Sequence, residues 1–354
     1  MRRGVITMEK YRVGIIGCGG IGLKHASAYA QLPNVELVAG ADPSDRREAE
    51  YKRIGIKSFY RDASKMLAQE NLDIVSVCTG PSAHAQMTII AAESGVKGIL
   101  CEKPMAPDLI QCNAMIDTCK HNGVKLAIGH QRRYGKQYAK GREIIASGTL
   151  GKPLLLWAMT PCSDVMTWGV HWIDMFHFFM QGHKVISVMG QVDVERQSLT
   201  GHKDFVEDAL LGHLMFDNKV RAILECGDLA QLEPGFPAHA TIRIYGPSGR
   251  FEANDIGYTL SMGNQHENIP VDSPFEQRDD VQMWIDEIQE LIDCIEQDKE
   301  HQSDGYAGRT TIEVACAIWE SARSRRLIKL PLELAESPLF ALWKGKDRPW
   351  EQKQ

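Results

Sequence analysis

Three glycines, one acid, one lysine and one histidine carry the chemistry open to this chain. Gly17-Cys18-Gly19-Gly20-Ile21-Gly22 fits G-x-G-x-x-G directly after the apolar run Val13-Gly14-Ile15-Ile16. In that setting Gly17 permits a tight turn and Gly19 lets the backbone approach a pyrophosphate. Gly20 and Ile21 open a helix whose unpaired N–H groups favour the phosphates, and Gly22 lets that helix sit close to the strand. Asp42 follows Gly22 by 20 residues, after one helix and one strand. A carboxylate there can accept from both hydroxyls of an adenosine ribose and repels a 2′-phosphate. The spacing therefore predicts a dinucleotide, NAD, with NADP possible because Arg46 and Arg47 come next.

Hydride transfer at a secondary alcohol needs, beside the nicotinamide, a group that takes or gives the hydroxyl proton. Lys103 and His171 are the candidates. Read alone, Lys103 after a buried run fits equally well as a lysine that satisfies backbone carbonyls. His171 lies among Trp172, Ile173, Met175 and Phe176 and fits a core histidine. His171, Asp174 and His177 do not suggest a metal site. At about 100° per residue the two histidines diverge by about 120° on a helix, so no metal is expected. Thr79, His84 and Glu102 follow apolar runs, and His84 reads either as a neighbour of the nicotinamide ribose or as a helix-start residue without a ligand. Arg133 and Tyr134 read either as contacts to substrate hydroxyls or as packing at a domain junction.

Elements that could position these groups follow from the periodicity. After Asp42, helices over 64–70, 84–95 and 109–122 alternate with strands over 74–78, 98–101 and 125–128. Such alternation gives a doubly wound parallel sheet, a Rossmann fold, with ligands beyond the carboxyl ends of its strands. After Gly151 short alternating runs take over: 154–159, 185–194, 209–216, 220–226, 240–245, 250–254 and 258–262. These predict an α+β domain with a largely antiparallel sheet. Helices are expected over 171–180, 282–297 and 308–325. The expected division is a nucleotide domain over 8–130, a substrate and oligomerisation domain over 131–332, and a polar tail over 333–354.

Composition sets the outer limits. At 354 residues the chain exceeds one ordinary core. A net charge of -6 argues against a nucleic-acid surface, and no stretch is long and apolar enough to suggest a membrane span. The start, MRRGVITMEK, has no apolar leader pattern, and the nine cysteines include no C-x-x-C pair. Reduced thiols in a cytoplasm are expected.

The assembled motifs resemble the Gfo/Idh/MocA oxidoreductases, the group that contains glucose-fructose oxidoreductase and inositol dehydrogenase. The resemblance runs through GCGGIG, Cys78-Thr79 to His84, Glu102-Lys103-Pro104, Gln131-Arg132-Arg133-Tyr134, SGTLGKP at 147–153, Val170-His171 to Asp174, Tyr245-Gly246 to Gly249 and GYAGRTTIEVACAIWESARS. It implies an open, mostly antiparallel second sheet and NAD(P)-linked redox chemistry on a sugar or polyol. It also implies that Lys103 and His171 handle the proton, that Thr79, His84, Glu102 and Lys103 lie on the cofactor, and that Arg133, Tyr134, Thr167 and Asp174 lie on the substrate. Association as a homodimer or homotetramer through the open sheet is implied as well. One position departs. Four residues before His171 the family's dehydrogenase site has Asp, and here stands Thr167; the preceding glycine run is missing too. Asp164 could stand in, although an exposed loop acid is the simpler expectation. The departure leaves room for two other functions: cleavage of a glycoside by transient oxidation and elimination on a retained NAD, and nucleotide sensing without turnover.

Overall fold

A computed structural model of the chain describes residues 10–161, 163–194, 207–227, 240–270, 281–333 and 337–342. The basic start up to residue 9, Cys162 and the end from 343 lie outside the described residues. The chain forms two compact units: one of residues up to Ala106, Gln111–Gly129 and Val281–Tyr306, the other of Pro107–Ile110, His130–Asp280 and Ala307 onward.

The first unit is built on six parallel strands, β1 (Tyr11–Ile16), β2 (Val35–Ala41), β3 (Ser58–Tyr60), β4 (Ile74–Val77), β5 (Gly98–Glu102) and β6 (Lys125–Gly129). Their order, β3-β2-β1-β4-β5-β6, reverses direction of growth at β1 and β4, the switch point where doubly wound sheets bind nucleotides. Val13, Ile15, Ile74, Val75 and Ile99 have no exposed surface, as strands covered on both faces require. Helices α1 (Gly20–Tyr29), α2 (Glu48–Ile54), α3 (Ala63–Gln69), α4 (Pro81–Glu93) and α5 (Leu109–His121) make the crossovers.

The second unit carries α6 (Lys136–Ala146), α7 (Val170–Met180) and a nine-stranded sheet. Its strands are β7 (Leu155–Pro161), β8 (Val185–Asp193), β9 (Ala209–Phe216), β10 (Arg221–Gly227), β11 (Thr241–Tyr245), β12 (Arg250–Asn254), β13 (Gly257–Met262), β14 (Gln265–Pro270) and β15 (Ile328–Lys329). The order β14-β13-β12-β11-β7-β10-β9-β8-β15 is open, and all its pairs are antiparallel except β7 with β10. That parallel pair departs from a plain succession of hairpins. One face is covered: Gly141 of α6 lies against Phe251, and Gly190 and Gly212 lie against Ile318 of α9 (Gly305–Ser324) so closely that a Cβ on either would stand within 2.6 Å of it. On the other face Met189, His213, Ile223, Trp157, Arg243 and Glu252 stand in register across the strands, and Met189 is 53% exposed.

Two expectations about organisation change. Helix α8 (Gln282–Gln297), expected in the second domain, belongs to the first unit, where a Cβ on Gly98 would stand 2.7 Å from Ile295. The segment expected as a polar tail includes α10 (Pro338–Leu342), whose Leu339 is buried. Among the described residues no helix is long and apolar enough to cross a membrane, and none of the eight described cysteines, all buried, is in a disulfide.

Candidate active site

In the first unit, the turn between β1 and α1 needs its glycines for three different reasons. Gly17 has φ +92°, and a Cβ there would meet the Cys78 and Thr79 backbone at 2.5–2.6 Å. A Cβ on Gly22 would stand 2.3 Å from the Gly17 oxygen, so helix and strand could not keep their spacing. Gly19 has open space where a Cβ would go, and as the cap of α1 it offers no side chain to the first N–H groups of the helix. Those groups suit an anion. Asp42, at the end of β2, is tied to this turn: one carboxylate oxygen accepts from Cys18 N–H and the other from Ser44 N–H, both at 2.8 Å. Each oxygen keeps a second lone pair for a ribose hydroxyl. The residues present fit a dinucleotide. Arg46 is exposed, and Arg47 pairs with Glu50 on the surface.

Glu102, the last residue of β5, is 3% exposed and its carboxylate faces inward. One oxygen lies 3.0 Å from His25 Nε2 of α1, and the other accepts the Lys103 N–H at 3.1 Å. His25 Nδ1 meets Ser76 Oγ at 3.0 Å, and Ser76 also meets the Tyr29 hydroxyl. Burial pushes the Glu102 carboxyl up, but His25 and Lys103 more than offset it and hold the group below the usual carboxylate range. Glu102 therefore braces the main chain that carries Lys103, which is half-buried at the strand end. His84 braces it from the other side. Its Nδ1 lies 2.8 Å from the Pro104 carbonyl and its Nε2 3.0 Å from the Thr79 carbonyl, so both ring nitrogens face the protein, not an open contact with a ribose. Burial lowers its pKa. His25, Ser76 and Tyr29 escape a reading by motif; only the polar i, i+4 pair His25 and Tyr29 on an otherwise apolar helix face hints at them.

In the second unit, Arg133 and Asp174 are brought into direct contact. Arg133 Nε donates to Asp174 Oδ2 at 2.9 Å, and His130 Nδ1 lies 3.2 Å from Asp174 Oδ1. Burial raises the Asp174 carboxyl, but the guanidinium and the imidazole hold it below its usual range. Asp174 thus spends its charge anchoring α7 to the 3-10 turn Gln131–Tyr134, and Arg133 is engaged there too. Tyr134 ends the same turn, half-buried. The neighbouring Arg132 is buried between Trp168 and Trp172, its guanidinium carbon 5.0 and 5.2 Å from the ring centres, and bonded to Asp255.

His171 lies in the first turn of α7, 3% exposed, its ring 5.9 Å from that of Trp168. The chain enters this helix through a π-helical turn, Val165–Gly169, that contains Thr167. Asp164 caps it. Its Oδ1 accepts the Thr167 N–H at 2.7 Å, and at 1% exposed it is no exposed loop acid as expected. The start of a helical turn leaves N–H groups that a buried carboxylate can satisfy. Burial pushes His177 down to about 4, so that ring is neutral near pH 7.

Fold and residues together define a Rossmann-type dinucleotide protein with a separate, sheet-built second unit. Residues 11–130 match the profile of the Gfo/Idh/MocA oxidoreductases described as the NAD-binding Rossmann fold, and residues 164–332 match that family's C-terminal alpha/beta domain. The chain belongs to this family, and it is an NAD-linked oxidoreductase. It is 25% identical to a myo-inositol 2-dehydrogenase of Thermotoga maritima, over 90% of this chain and 98% of the relative. It is 24% identical to a D-apiose dehydrogenase of Paraburkholderia graminis, over 94% and 93%. An oxidoreductase from Agrobacterium radiobacter, solved with NAD+, L-tartaric acid and magnesium, shares the fold with a TM-score of 0.78 at 19% identity, over 90% of this chain and 98% of that one.

Proposed function

We propose that the protein interconverts a secondary alcohol and a ketone on a sugar, polyol or related carbohydrate by hydride exchange with NAD, with Lys103 and His171 handling the proton. The observation that carries this reading is the Lys103 position. A buried carboxylate and two histidines fix the backbone at the end of β5, beside the strand ends where the nucleotide turn and Asp42 stand, and such bracing suits a group that must meet a reacting atom. The bound nicotinamide would accept or give the hydride. The Lys103 ammonium stabilises a developing alkoxide, and the His171 imidazole takes the hydroxyl proton near neutral pH. The dehydrogenase relatives act on inositol and apiose, which supports a polyhydroxylated substrate. Thr79, His84 and Glu102 form the wall on the cofactor side in this reading, and Arg133, Tyr134, Thr167 and Asp174 support the substrate side. Residues 8–130 serve the nucleotide, and the outward face of the open sheet joins copies of the chain. Its exposed Met189 and Leu211 support that, and a monomeric mass in solution would count against it. A reducing compartment such as cytoplasm fits the absence of a disulfide among the described cysteines.

Cofactor choice gives the first test. Asp42→Ala should weaken NAD binding about tenfold while weakening NADP little or improving it. Only NAD loses a ribose acceptor, whereas NADP loses a repulsion. Dissociation constants from nucleotide titration decide it, and equal weakening of both would remove Asp42 from the ribose.

A further inference from the structure

The turn that delivers His171 is held at its start by two acids far apart in sequence. Glu207 Oε1 accepts the Val165 N–H at 2.6 Å, and Asp164 Oδ1 accepts the Thr167 N–H. The second Glu207 oxygen accepts Trp319 Nε1–H from α9 at 3.2 Å. Between them the two carboxyls satisfy N–H groups that the first turn leaves unpaired. Asp164 is 1% and Glu207 2% exposed. Asp164 Oδ2 has no hydrogen-bond partner among the described residues, and neither acid makes an ion pair there. Two unpaired anions in one dry place are costly, and a single proton removes most of that cost.

We propose that Glu207 is a positioning residue for His171: protonated beside the Asp164 carboxylate it locks the Val165–Gly169 turn, whereas its ionised form puts a second charge in the same buried place and loosens the turn. The turn has little room to yield without displacing α7. A Cβ on Gly169 would stand 2.8 Å from Val165 and 2.9 Å from Cys226 of β10, and α7 begins at the next residue. His171 is the second residue of that helix, so a shift of the turn is a shift of the imidazole. Burial first, and then the Asp164 charge, push Glu207 up to about 8, while the Val165 and Trp319 N–H groups pull it down. The Cys226 thiol beside them is pushed well up by burial and by both acids, and is neutral.

A glutamate raised in the folded state contributes its full stability below the ordinary carboxylate range and loses it as pH climbs through about 8. Proton transfer at His171 should fade over the same upper range, a step that rests on His171 being the proton acceptor. Three forms settle it: parent, Glu207→Gln, and Asp164→Asn, each variant keeping at most one charge. The amide of Glu207→Gln cannot accept from Trp319 as well as from Val165, so its melting midpoint starts lower; the slope with pH is the readout. Between about pH 6 and pH 9 the parent midpoint should fall relative to both variants. Over that range parent kcat should drop about tenfold from its plateau while the variants lose less than about twofold. Parallel midpoints overturn the protonated Glu207. A midpoint difference with an unchanged alkaline limb of kcat overturns the positioning role. If the parent turns over no substrate at all, the proposed function fails, and the midpoints still decide the pair.

Discussion

Lys103→Met should leave NAD binding nearly intact and lower turnover by about 10²-fold or more, about 2.7 kcal/mol of transition-state stabilisation. The structure makes this substitution informative because main-chain contacts at residues 103 and 104 help to hold that place. Glu102 accepts the main-chain N–H of residue 103, and His84 meets the carbonyl of Pro104. Methionine keeps both contacts and a similar apolar stem, so the strand end should survive. What goes is a positive charge where an alkoxide develops, an interaction made chiefly in the transition state and so read in kcat. Single-turnover rates with saturating NAD, alongside the NAD dissociation constant, measure it. Near-normal turnover would remove Lys103 from proton handling, and a large loss of NAD affinity would assign it to cofactor capture.

His171→Gln should lower alcohol oxidation by about 10²-fold or more and remove the acidic limb of its pH profile. A histidine base must be neutral to accept a proton, so oxidation falls where the imidazole is charged. Glutamine cannot titrate there. Helix α7 should hold its place in the variant, because it has anchors besides residue 171: Asp174 on Arg133 and His130, and the entering turn on Asp164 and Glu207. Thr167→Asp is the companion change. It adds a carboxylate about one helical turn before His171, favours the imidazolium, and should move the acidic limb toward higher pH. A limb that survives His171→Gln would show that another group titrates.

Much of the first unit was legible because its determinants are local. The glycine turn, Asp42 and the strand-helix alternation depend on spacing within about twenty residues. Partners distant in sequence were not legible. Nothing near His25 announces Ser76 or Glu102, and nothing near Asp164 announces that Glu207 joins it beneath Trp319. Asp164 looked like a loop acid because loops are polar on average; its capping role depends on a π-helical turn that no hydrophobic period specifies. The amphipathic pattern of α8 shows that it buries a face but not that the face lies on the first unit. Strand β14, Gln-His-Glu-Asn-Ile-Pro, was missed because an edge strand with exposed faces carries no alternation to read. The three-residue β3 was too short to register, and the parallel pairing of β7 with β10 is a matter of tertiary order.

Net hydride transfer between NAD and a carbohydrate alcohol is the reaction proposed for this protein. Its most direct measurement is the near-ultraviolet absorbance of NADH while the purified protein is given NAD and a panel of cyclic polyols, aldoses and glycosides. The expected result is steady NADH formation, matched mole for mole by ketone, with at least one polyol or sugar and reversed by adding that ketone. Contradiction would be a glycoside cleaved with no net change in NADH, the outcome of transient oxidation and elimination on a retained cofactor.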